Sequence, residues 1–116
     1  MDLGELDDAV SRRARAWHAA DMRWEVVRWR LTNKPASSLR VEKGDALAEL
    51  ILWVSGEAEL TYTRRMEDPP VSEHYEITTA VGLNGSLDDL EARVGLQALP
   101  DPQPVLPFPD DEPPRV

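Results

Sequence analysis

The chain has no cysteine. That excludes disulfide scaffolds, zinc–thiolate sites and thiol nucleophiles at once. Long apolar runs are missing as well. The longest, Leu50-Ile51-Leu52-Trp53-Val54, falls far short of the ~20 residues that cross a bilayer, so no membrane association is expected. The opening Met1-Asp2-Leu3-Gly4-Glu5 is acidic and leads into no apolar stretch, unlike a secretory signal. A soluble, cytoplasmic protein is the expectation.

Aromatic residues are few, and bases are few relative to acids. Four of the seven aromatics are tryptophan (Trp17, Trp24, Trp29, Trp53), all in the first half, where the core is therefore expected. Thirteen Lys and Arg stand against 22 Asp and Glu, a net charge of −9. Residues 1–98 hold 12 bases and 18 acids, net −6, and residues 99–116 hold Arg115 and four acids, net −3. Both parts repel phosphate, so nucleic acid is not an expected partner; a basic protein partner, or plain solubility, accounts for the sign.

What the sequence does contain is one domain's length, 116 residues, with apolar periodicity along most of it. Leu3, Leu6, Val10, Ala14 and Trp17 recur at spacings of three and four and predict a helix over residues 3–19. Its acids come early and its bases late, which complements the helix dipole. Met22, Trp24 and Val26 then alternate, and the alternation shifts by one residue into Val27, Trp29 and Leu31. This predicts one strand with an irregularity near Val26-Val27. Asn33-Lys34-Pro35-Ala36-Ser37-Ser38 reads as a loop, and residues 39–43 are ambiguous.

Residues 46–54 form the clearest strand, with Leu50, Leu52 and Val54 on one face and Ile51 and Trp53 on the other. Apolar residues on both sides predict a central strand covered on each. Ser55-Gly56 and the alternating run from Glu57 to Thr63 complete a β-hairpin. A further strand is predicted over residues 71–79. Asn84-Gly85 breaks the chain, and Ser86 reads as the N-cap of a helix carrying Leu87, Leu90 and Val94. Seven of the ten prolines lie in residues 99–116, which are expected to be extended or disordered, with Val105-Leu106-Pro107-Phe108 able to dock locally. The predicted fold over residues 1–98 is α+β: an N-terminal helix, a four-stranded mainly antiparallel sheet and a C-terminal helix, followed by the Pro-rich tail. The helices are the elements available to cover the sheet.

No catalytic set assembles from these residues, so an enzyme is not expected. His18 and His74 stand in no metal-ligand spacing, and no strand–turn–helix nucleophile motif accompanies them. The glycines, Gly82 and Gly85 among them, are scattered and form no phosphate-cradling loop; no metal or cofactor is implied. Glu57 and Glu59 share a strand face, and paired carboxylates can do acid–base work when burial splits their pKa values. With Ala58, Leu60 and Tyr62 on the opposite face, however, they are expected to face water. The candidate partner-binding residues are Glu57, Glu59, Tyr62, Glu73, Tyr75 and Glu76, an acidic and aromatic patch on neighbouring strands beside Arg64-Arg65. Trp29 and Trp53 are further candidates on the exposed side of the sheet, because Trp, Tyr and Arg dominate binding hot spots.

Leu50-Ile51-Leu52-Trp53-Val54-Ser55-Gly56-Glu57-Ala58-Glu59-Leu60, then His74-Tyr75-Glu76, then Leu87-Asp88-Asp89-Leu90 resembles bacterial immunity proteins of the TriTu type. The likeness follows the order of elements over residues 3–98, closely at residues 53–60 and 74–76; the Pro-rich tail has no counterpart. The resemblance implies a stoichiometric protein-binding inhibitor of a bacterial toxin. It identifies neither the toxin nor the contact residues. A chaperone-like subunit for a secreted effector has the same size and acidity and is the alternative expectation. A small enzyme built on Glu57, Glu59 and His74 is the third, and it requires a cleft. Nothing in the sequence sets the oligomeric state.

Overall fold

The computed structural model describes residues 2–29, 34–65 and 67–95. Helix α1 (Gly4–Ala19) is followed by strands β1 (Arg23–Trp29), β2 (Ala36–Lys43), β3 (Ala46–Trp53), β4 (Glu57–Thr63) and β5 (Val71–Glu76), and then by helix α2 (Ala80–Arg93). The five strands form one antiparallel sheet in the order β1-β2-β3-β4-β5. The α+β class and the antiparallel meander are as expected. The Pro-rich tail, and residues 30–33 with Leu31 among them, lie outside the described residues.

Helix α1 forms where its apolar stripe predicts. Leu6, Val10 and Trp17 are buried, with Ala9 between them. Asp2 Oδ1 accepts from the Gly4 amide at 2.9 Å, which satisfies one of the free donors of the first turn. The helix stops in a Schellman arrangement: the Met22 amide reaches back to the Trp17 carbonyl (2.9 Å) and that of Asp21 to His18 (3.1 Å). Asp21 takes the left-handed conformation (φ 59°) this requires.

The strand count corrects the sequence reading from four to five. Residues 36–43, read as loop and ambiguous chain, are a full strand paired on both sides, with Trp29↔Ala36 on one edge and Ala36↔Trp53 on the other. Small polar residues misled here: Ser37 and Ser38 are buried because β1 and β3 flank them, not because of their own character. Strand β1 is also regular. Its ladder with β2 runs unbroken from Arg23↔Glu42 to Trp29↔Ala36, so the shift in apolar phase marks no bulge. It arises because Trp24 and Val26 pack on the helix side while Val27 and Trp29 face the other way.

Two further boundaries move. Strand β5 ends at Glu76 rather than residue 79, because Thr79 caps α2, its Oγ1 accepting from the Gly82 amide at 3.1 Å. Asn84-Gly85 therefore lies inside the helix. Asn84 Nδ2 donates to the Ala80 carbonyl (2.9 Å), and Ser86, expected as the cap, is buried with its hydroxyl on the Leu83 carbonyl (2.7 Å). Burial of Leu83, Leu87 and Leu90 overrides the local cost of glycine, about 1 kcal/mol. The β3–β4 connection spans three residues, Val54-Ser55-Gly56, rather than two.

Both helices contribute to one core on one face of the sheet. Leu6, Val10 and Trp17 from α1 and Leu83, Leu87 and Leu90 from α2 join Leu39, Val41, Leu50, Leu52 and Leu60. Along β3 burial alternates strictly, full on the helix side and partial on the other. The strand is central in the sheet, but among the described residues helices cover it on one side only, in place of the two-sided cover expected from its composition. One core group is out of place chemically. Ser37 is fully buried, and its Oγ has no hydrogen-bond partner among the described residues. Leaving a buried hydroxyl unsatisfied costs roughly 1–3 kcal/mol, so Ser37→Ala is expected to raise stability by about 1 kcal/mol. Urea unfolding followed by circular dichroism measures this, and a loss of stability in the variant would contradict it.

Candidate protein-binding face

Strand alternation sends every second side chain away from the helices, and among the described residues no element covers that second face. The antiparallel register sets what lies side by side on it. One row across the sheet reads Trp29↔Ala36↔Trp53. The next reads Val27↔Ser38↔Ile51↔Glu59↔His74, and the one beyond it Glu25↔Arg40↔Glu49↔Thr61↔Ser72. Apart from Ser38, the β1–β3 part of the first two rows is apolar, and the β4–β5 part carries the acids.

The apolar part is built by an alanine between two tryptophans. Ala36 is small enough to leave a depression of ≈190 Å³, lined by Trp29, Lys34, Ala36, Ile51 and Trp53. Trp29 is 50% exposed and Trp53 is half-buried. The Trp29 ring is held in place through Nε1, which donates to Ser38 Oγ at 3.2 Å. The Lys34 ammonium stands 5.9 Å from the centroid of the Trp53 ring, within cation–π range, and is ion-paired with Glu57. Glu57 also accepts from the Ser55 hydroxyl at 2.9 Å. The Lys34 hydrogen bond first, then that of Ser55, holds the Glu57 carboxyl below its ordinary range.

The six predicted site residues divide between the two faces. Glu57, Glu59 and Glu76 come together on the open face: Glu57 sits directly opposite Glu76, and Glu59 opposite His74. Tyr62, Glu73 and Tyr75 point to the helix side, where they fasten α2 to the edge of the sheet. Arg93 donates to Glu73 Oε2 through Nε (3.0 Å) and Nη2 (2.8 Å). The Tyr75 hydroxyl lies 2.9 Å from both Glu73 and Asp89, the Tyr62 hydroxyl lies 3.3 Å from Glu73, and the Arg93 guanidinium stands 5.4 Å from the Tyr62 ring centre. Burial pushes the Glu73 carboxyl up, but hydrogen bonds from Tyr75 and Arg93 outweigh it and leave the group below its ordinary range. Burial, then the two carboxylates, pushes the Tyr75 phenol far above its ordinary value, so it stays a donor at all physiological pH. These three side chains already have partners within the fold.

His18 and His74 do not converge. His74 is on the open face, whereas His18 is on α1, which covers the opposite one. Glu57, Glu59 and His74 are neighbours, but on an outward-facing strand surface where His74 is exposed. Among the described residues no group of three His, Asp or Glu is placed to hold a metal ion, and no helix is long and apolar enough to cross a membrane. Sequence reasoning named Trp29 and Trp53 but missed Ile51, Ala36 and Lys34. Recognising residues 36–43 as a strand would have found them, because β2 is what sets the two tryptophans on either side of one alanine. Compared with models of known protein families, with curated proteins and with solved structures, the chain matches none.

Proposed function

We propose that the open face of the sheet is a protein-binding surface and that the chain acts stoichiometrically, as an immunity-type inhibitor that occludes a bacterial toxin. The observation that carries the binding reading is the half-exposed Trp29, set beside Trp53 and Ile51 on a face that no helix covers among the described residues. An aromatic pair kept at the surface of a small domain has the size and rigidity of an interface anchor. The toxin-inhibitor reading draws on the resemblance, whose two closely similar stretches, residues 53–60 and 74–76, supply Trp53, Glu57, Glu59, His74 and Glu76 to one corner of this face. Inhibition of this kind needs burial and complementarity but no bond chemistry, and the exposed strand surface that carries Glu59 and His74 suits that role.

The test is protection. The chain is co-expressed with each toxin domain encoded beside its gene, and cell survival is scored. Rescue from one of them is expected, with the purified pair forming a one-to-one complex. Trp29→Ala is expected to weaken that complex by roughly 30-fold or more, the effect of losing an anchor worth at least about 2 kcal/mol. Failure to rescue from any neighbouring toxin would sink the inhibitor reading.

A further inference from the structure

We infer that the occupant of this face is a basic protein segment, one whose arginine or lysine side chains reach the Glu57–Glu59–Glu76 corner while apolar neighbours cover Trp29, Ile51 and Trp53. The inference rests on the binding reading above and specifies the partner's chemistry. Three observations carry it.

The first is where the acid lies. On the β1–β3 part of the open face charges of both signs are interspersed: Arg23 is paired with Glu42 at 2.6 Å, and Arg40 sits between Glu25 and Glu49 in the register. On β4 and β5 the outward charged residues are Glu57, Glu59 and Glu76, with His74 among them. Lys34 offsets one of the three. Glu59 and Glu76 make no ion pair among the described residues.

The second is a local conflict. Glu57 and Glu76 stand directly opposite each other across the β4–β5 ladder, and like charges so placed destabilise a sheet. A cation from outside relieves that repulsion; an anionic or purely apolar partner leaves or worsens it. Charge at the rim of an aromatic patch also selects against wrong partners and raises the rate of encounter.

The third is the chain's own example of what the corner accepts. The Lys34 ammonium lies over Trp53 and on Glu57 at once. An arriving guanidinium has the same two kinds of contact open to it, an indole ring through its plane and a carboxylate through its fork, with Trp53 and Glu59 on the adjacent strands β3 and β4.

The probe is an extended peptide of about eight residues, one strand's length, alternating arginine and valine. Its counterpart alternates glutamate and valine. Binding to the full chain is followed by NMR through the indole N–H signals of Trp29 and Trp53 and the backbone amides of β4 and β5. The Arg-Val peptide is expected to shift both sets and the Glu-Val peptide neither. The double variant Glu59→Gln/Glu76→Gln is expected to weaken binding by about tenfold, the sum of two exposed ion pairs. Raising salt from about 0.15 M to about 1 M, which shortens the screening length from about 8 Å to about 3 Å, is expected to do the same to the native chain. Equal binding of the two peptides, or Arg-Val binding untouched by both the double variant and salt, would overturn the inference. So would a dimer, seen by light scattering, that Trp29→Glu dissociates, since a second copy would then own the face. Peptide binding without rescue from any toxin would remove the inhibitor reading and leave the basic-partner inference standing. Rescue undiminished in the double variant would do the reverse.

Discussion

Trp17→Ala is expected to remove about 3–5 kcal/mol of stability, the range for truncating a large buried aromatic. Three losses coincide at this position. The side chain is fully buried in the core between α1 and the sheet. Its ring meets Trp24 edge-on at 5.5 Å and 70°, a geometry worth about 0.5–1.5 kcal/mol beyond area burial. Its Nε1 donates to Glu91 Oε2 at 2.7 Å, which ties α1 to α2. Arg13 completes that tie, reaching Asp88 and Glu91 at 3.0 Å and the Asn84 side chain at 3.1 Å, so Glu91 is not orphaned when the indole is lost. Small domains hold only about 5–15 kcal/mol in all, and the variant is therefore expected to approach unfolding at physiological temperature. Trp17→Phe separates the contributions: it keeps most of the ring and loses the hydrogen bond, for roughly 1–2 kcal/mol. Urea unfolding read by far-ultraviolet circular dichroism is the right measurement, because tryptophan fluorescence changes with the substitution itself. A loss under about 1 kcal/mol for Trp17→Ala would mean that the helix–sheet core does not depend on this residue in the way its burial implies.

Much of this architecture is legible in the sequence where side-chain period alone decides the matter. Helix α1 has an uninterrupted stripe, and β3 and β4 have clean alternation around Gly56, so these elements emerge from local pattern. The misread segments are those whose state is imposed by neighbours. Residues 36–38 look like a loop because Pro35, Ala36, Ser37 and Ser38 have no strand character of their own; the ladders from β1 and β3 on either side make them a strand. Asn84-Gly85 looks like a break, and the buried leucines on either side hold it in α2. The candidate site suffers from the same omission. Grouping the acids by neighbouring strands, without regard to face, puts Glu73 with Glu57, Glu59 and Glu76. Period-two alternation separates Glu73 from Glu76, but which face carries the helices is a tertiary fact. The aromatic half of the face was hidden more deeply, since Trp29 and Trp53 are 24 positions apart in sequence and meet only through a strand that local composition conceals.

Gly56→Ala is expected to cost about 3 kcal/mol, the upper part of the range for a strained backbone position. Gly56 has φ 101°, which an L side chain rarely adopts, and an added Cβ would lie 2.8 Å from the Ile77 carbonyl oxygen. The neighbour is backbone, so no rotamer change relieves the overlap. It is also the segment to which Gly56 is bonded, its own carbonyl accepting from the Ile77 amide at 2.6 Å while its amide donates to the Trp53 carbonyl at 2.8 Å. The chain must therefore either open the turn after Trp53 or push the end of β5 away from β4. Gly44→Ala is the control, because Gly44 also has positive φ (60°) but an added Cβ meets nothing within 4 Å. It bears only the conformational cost, about 1 kcal/mol. Melting temperatures are expected to fall by roughly 15 °C for Gly56→Ala and about 5 °C for Gly44→Ala. Equal falls would show that φ alone sets the cost and that the approach of Ile77 is not needed. The larger loss has a functional corollary, since Gly56 joins Trp53 to Glu57 and lies beside the link from β5 to α2. Any relaxation that accommodates the methyl group moves Trp53, Glu57 and Glu76 relative to one another, so Gly56→Ala is expected to weaken Arg-Val peptide binding even below its melting temperature, whereas Gly44→Ala, at the far end of β3, leaves it unchanged.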